Sequence, residues 1–118
     1  MIGALAALVM ALASLVCMPE SPQARFVAGY EAVGGDSNLL GEALSMVYCE
    51  SRWVADPGGA HLGYAQFTQG SWEKARRAPD ANPYDAYEQG WAVARWISLI
   101  YPMPPKSSAG WAVCWPGG

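Results

Sequence analysis

Apolar residues recur at helical spacing most clearly in one stretch. Leu39, Leu40, Ala43, Leu44, Val47 and Tyr48 share one face of a helix predicted over Ser37 to Ser51. Asp36 or Ser37 can cap its N-terminus. A short helix is predicted from Ala24 to Val33, stopped at Gly34-Gly35, with Pro19 to Gln23 as a linker before it. Asp56-Pro57-Gly58-Gly59-Ala60 is a turn cluster, and an extended piece follows over His61 to Phe67. A further helix is predicted from Thr68 or Ser71 to about Ala78, then a loop over Pro79 to Pro83. Asp85-x-x-Glu88 has the form of a capping box and opens the last long helix. Trp91, Val93, Ala94, Trp96, Ile97, Leu99 and Ile100 make that helix apolar almost all round, which predicts a buried central element. Gly90 within it predicts close approach of a neighbour, and Pro102, Pro104 and Pro105 end it.

The length, 118 residues, allows one domain. Ile2 to Met18 form an uncharged, alanine-rich run that resembles the apolar core of a signal peptide, though no Lys or Arg precedes it. Its length is at the lower limit for a membrane span, so a membrane anchor or a buried core helix are the other readings. The predicted organisation is residues 1–18 as signal peptide or membrane anchor, 19–35 as linker and short helix, and 36–118 as the main domain. The protein is therefore expected to be exported, with a membrane tether through residues 1–18 as the alternative, and to be a monomer. The net charge is −3 with only 7 Lys and Arg and no basic run, which argues against a nucleic-acid partner. Six Trp and six Tyr suit core packing first and a sugar-binding cleft second. Three cysteines in an oxidising compartment leave one pair and one spare thiol. With no C-x-x-C spacing and His61 as the single histidine, neither a metal nor another cofactor is expected. The absence of G-x-S-x-G, H-E-x-x-H and P-loop patterns argues against serine hydrolase, zincin and NTPase chemistry.

Glu50 carries the candidate chemistry. Ala43, Val47 and Glu50 fall on one stripe of the predicted helix, so the carboxylate sits on an apolar face in the last turn. Burial and the negative end of the helix dipole both disfavour its charged form. A carboxylic acid that holds its proton is what protonation of a glycosidic oxygen requires.

Cys49-Glu50-Ser51, Gly63-Tyr64-Ala65-Gln66-Phe67, Ser71-Trp72 and Gly110-Trp111-Ala112-Val113-Cys114 follow one another in the chain. In order and spacing this set resembles the lysozyme-like lytic transglycosylase superfamily. The likeness is closest to the catalytic domains of resuscitation-promoting factors and to small phage transglycosylases, and it covers Leu39 to Trp115. It implies a mainly α (α+β lysozyme-like) fold with a short extended segment beside the cleft. The implied activity is cleavage of the β-1,4 bond between N-acetylmuramic acid and N-acetylglucosamine in peptidoglycan glycan strands. Carried over by motif, Glu50 would be the catalytic acid and then base, and Gln66 would contact the sugar. Tyr64, Phe67, Ser71 and Trp72 would shape the cleft, and Cys49 and Cys114 would form the family disulfide. The chain departs from the resuscitation factors between Asp56 and Leu62 and after Asp80.

A two-carboxylate glycosidase needs a second acid. Asp56 is explained as a turn residue and Asp85 as a helix cap, so a single-acid route fits better. Whether water or the sugar's own C6 hydroxyl completes the reaction stays open at this level. Tyr48 and Trp53 flank Glu50 and could desolvate it, His61 reads as a solvated loop residue, and Trp91 and Trp96 read as core. Cys17 is apolar filler or is lost with the N-terminal run; the alternative is exchange with Cys49 while the chain is tethered. The competing function is a cell-wall-binding or virion structural module without catalysis.

Overall fold

The computed structural model describes residues 21–117, and four helices order them. These are α1 Pro22–Ala32, α2 Leu40–Ser51, α3 Gln69–Ala75 and α4 Ala86–Ile100. The pairing of extended chain among these residues is one antiparallel bridge between Leu62 and Phe67. The fold is mainly α. The expectations for residues 1–18, including Cys17, lie outside the described residues. Among the described residues no helix is long and apolar enough to cross a membrane.

α1 starts earlier than its pattern suggests. The Ser21 hydroxyl accepts from the Ala24 N–H at 3.1 Å, and Pro22 takes the first helical position. Pro22 and Gln23 are thus helical, which corrects the linker expected there. The helix crosses α4 at a pair of glycines. A Cβ on Gly29 would overlap the Tyr87 carbonyl, and one on Gly90 would overlap the Phe26 carbonyl. The close approach expected at Gly90 is therefore met by α1. Phe26 and Tyr30 are fully buried, so α1 belongs to the same core as Met46, Val47 and Val93.

α2 begins at Leu40 rather than Ser37. The Asp36 carboxylate accepts from the Asn38 N–H at 2.9 Å, and its carbonyl from Leu39 N–H at 3.0 Å. This local turn competes with helix and uses the residue that was expected to cap it. Thr68 caps α3 by accepting from Ser71 N–H at 3.1 Å. α3 ends at Ala75, short of the expected Ala78, where Arg76 takes an extended conformation at ψ 149°.

Asp85 caps α4 by accepting from Tyr87 N–H at 2.8 Å. Glu88 leaves the capping box open, since its carboxylate takes the Arg77 guanidinium at 2.7 Å. Burial of α4 runs from Ala86 to Ala94; Leu99 is 49% exposed, so the last turns depart from the expected all-round burial.

The piece from His61 to Phe67 is a tight hairpin rather than an extended run. Leu62 and Phe67 exchange both backbone hydrogen bonds, at 2.8 and 3.0 Å. Gly63 at φ +74° and Gln66 at φ +57° turn the chain between them. Fully buried Gln89 on α4 satisfies this turn: its Oε1 accepts from Ala65 N–H at 3.0 Å, and its Nε2 donates to the Pro83 carbonyl at 2.8 Å.

Residues 101–117 close the domain without regular structure. Trp111 and Trp115 stack with centroids 5.7 Å apart. Trp111 Nε1 donates to the Ala65 carbonyl at 2.9 Å, and Trp115 Nε1 to Glu42 at 2.8 Å. A disulfide between Cys49 and Cys114 ties this segment to α2.

Candidate active site

The last turn of α2 places Cys49 and Glu50 side by side at the mouth of a cleft. The helix ends at Ser51, after which Arg52 adopts the left-handed conformation at φ +54° and its N–H returns to the Tyr48 carbonyl. The chain then turns away, leaving the Glu50 carboxyl half-buried. Burial raises its pKa above the ordinary carboxylate range, and the nearby His61 pulls it partly back. The upward direction favours a carboxylic acid that keeps its proton in mildly acidic solution.

The cleft has a volume of about 310 Å³. Gln66 and Phe67 from the hairpin, Ser71 from α3, Trp96 from α4 and the Ser108–Val113 segment line it with Glu50. A volume near the lower end of ligand-site sizes suits one or two small polar units, such as a sugar ring. The walls are positioned by specific bonds. Gln66 Nε2 donates to the Gly63 carbonyl at 2.9 Å. The Ser71 and Thr68 hydroxyls lie 2.9 Å apart. Trp96 Nε1 donates to the Ala109 carbonyl at 2.9 Å, which holds the segment opposite α4. The Cys49–Cys114 bridge fastens the same segment next to Glu50.

Of the expected site residues, Glu50, Gln66, Phe67 and Ser71 come together at this cleft. Tyr64 and Trp72 do not line it. Tyr64 is 8% exposed, packs on Trp53 at 5.9 Å and borders a separate cavity beside Arg25 and Asp85. Trp72 is 2% exposed and packs on Phe67 at 5.8 Å, so it supports the wall from behind. In the hairpin successive side chains leave the turn in different directions, and proximity in sequence to Gln66 says little about which side Tyr64 takes.

Tyr48 is exposed, with the Arg52 guanidinium over its ring at 4.9 Å. Trp53 meets Phe26 edge-on at 5.5 Å in the core. Both leave the desolvation of Glu50 to the cleft walls. Asp56 accepts from Gly58 N–H at 3.3 Å within its turn, and Asp85 pairs with Arg25 at 3.0 Å while capping α4. Among the described residues that line the cleft, Glu50 is the one carboxylate. No group of three or more His, Cys, Asp or Glu among the described residues could hold a metal ion.

Sequence reasoning missed Thr68, the Ser108–Val113 segment, Trp96 and His61 as cleft residues. Trp96 reads as core because α4 looks apolar all round, yet it is half-buried and faces the cleft. His61 reads as a solvated loop residue; it is exposed, but on the cleft side of the hairpin. A larger cavity of about 650 Å³, between the end of α1 and the Tyr101–Pro105 segment, is lined by none of the expected site residues. Comparison with protein-family models, with curated proteins and with solved structures finds no match.

Proposed function

We propose that the protein is a peptidoglycan-cleaving glycosidase in which Glu50 is the single acid–base residue. The observation that carries this reading is a half-buried carboxyl with a raised pKa, alone among carboxylates in a polar cleft with aromatic walls. The substrate class comes from the motif resemblance: a glycan strand of alternating N-acetylmuramic acid and N-acetylglucosamine. The disulfide is compatible with an oxidising, exported setting.

Protonated Glu50 gives its proton to the glycosidic oxygen as the C1–O4 bond breaks. The carbonyl oxygen of the substrate's own 2-acetamido group takes up the positive charge at C1, which a site with one carboxylate requires. The Glu50 carboxylate then removes the C6 hydroxyl proton, and that oxygen closes on C1 to give a 1,6-anhydro sugar. Water entering instead gives a reducing end. Either way Glu50 recovers its proton. Gln66 and Ser71 offer amide and hydroxyl groups to the sugar, and Trp96 offers apolar ring surface.

Glu50→Gln is nearly isosteric but has no proton of suitable acidity. Turbidity clearing of purified peptidoglycan should fall by at least about a hundredfold in this variant, with cell-wall binding retained. Activity within tenfold of the parent protein would refute the role. A parent protein that binds peptidoglycan without clearing it would instead identify a non-catalytic wall-binding module.

A further inference from the structure

Glu50 and His61 are the two titratable side chains among the described residues that line the cleft. No other charged side chain lines the cleft from any of the elements around them. α3 contributes Ser71, α4 contributes Trp96, the hairpin adds Gln66 and Phe67, and the closing segment contributes Ser108 to Val113, all uncharged. On α2's own end, Arg52 is held over the Tyr48 ring and does not line the cleft. An exposed imidazole in an otherwise uncharged cleft is therefore the one nearby group able to answer a change of charge on Glu50.

We propose that His61 is a positioning residue for the reaction, whose imidazolium stabilises the Glu50 carboxylate as the proton leaves for the substrate. This rests on the glycosidase reading of the cleft. Glu50 must give up a proton in a site whose walls disfavour its anion. A cation on the same cleft lowers the energy of that anion and so of the transition state in which it forms. The direction agrees with the electrostatic influence of His61 on Glu50. No extra reactant is involved: the proton passes from Glu50 to the leaving oxygen, and His61 keeps its own.

The test has two arms on the whole protein. In the first, the titration of the Glu50 carboxyl is followed by carbon-13 NMR, its signal identified by its loss in Glu50→Gln. The midpoint should rise in His61→Gln and stay at the parent value or below in His61→Lys. An unchanged midpoint in His61→Gln overturns the proposal without reference to activity. In the second, cleavage is measured at about pH 5. His61→Gln should lower kcat by about three- to tenfold near pH 5, with KM little changed, as expected for one partly solvated charge pair. His61→Lys should restore the rate. Equal rates for parent and His61→Gln at acidic pH, or a deficit that His61→Lys leaves uncorrected, overturn the role of His61 alone. A parent protein that cleaves nothing overturns the glycosidase reading and this proposal together.

Discussion

Loss of the Cys49–Cys114 bridge offers a quantitative test of how the cleft is held. The two residues are 65 apart in sequence, and a cross-link over that span restricts the unfolded chain by about 4 kcal/mol in the chain-entropy relation. The folded state keeps other anchors for the same segment: Trp111 to Ala65, Trp115 to Glu42, and Trp96 Nε1 of α4 to the Ala109 carbonyl at 2.9 Å. The Cys49→Ala/Cys114→Ala double variant should therefore fold at low temperature, yet lose about 3 to 4 kcal/mol, which for a domain of this size is about 12 to 30 °C in Tm. Calorimetry and urea titration of parent and variant measure this directly, and reduction of the parent should reproduce the variant's value. Activity at low temperature should fall too, because the Ser108–Val113 wall would lose its covalent tie next to Glu50 and keep only hydrogen bonds and packing. A loss below about 1 kcal/mol would refute the entropic account of the bridge. Unchanged activity in the folded variant would refute its part in shaping the cleft.

Gly90→Ala places a methyl group against the backbone of α1, which cannot rotate away, and should cost about 2 kcal/mol or more despite the better helix propensity of alanine; chemical denaturation checks this. Gln66→Gly removes the side chain at a position already in the left-handed region, so stability should change little while cleavage falls about tenfold or more. Glu50→Gln should also act on stability. The folded state binds the Glu50 proton more tightly than the unfolded chain, so parent stability falls as pH rises from the ordinary carboxyl range through the raised pKa. The variant lacks that fall and should be the more stable protein at neutral pH, by no more than about 1 kcal/mol given the partial exposure, with the difference shrinking in acid.

Much of the helical content is legible in local patterns because helix faces and turn residues repeat within a few positions. The stripe that buries Ala43 and Val47 and carries Glu50 is one such case: the same periodicity that forms α2 sets the carboxyl in its last turn. What stayed hidden depends on distant partners. Gln89 looks like an ordinary polar residue of α4, and only the hairpin 24 residues upstream reveals it as a buried clamp on Ala65. α1 looks peripheral until Gly29 meets Tyr87 and Gly90 meets Phe26. Trp96 and His61 reach the cleft through the placement of α4 and the hairpin, which no local spacing encodes.

The central claim is that Glu50 cleaves glycan strands. Purified peptidoglycan digested with the protein and with Glu50→Gln, followed by mass analysis of the released muropeptides, tests it most directly. The account predicts fragments ending in 1,6-anhydro or reducing N-acetylmuramic acid from the parent protein and none from the variant. No fragments from the parent, or equal amounts from both, would contradict it.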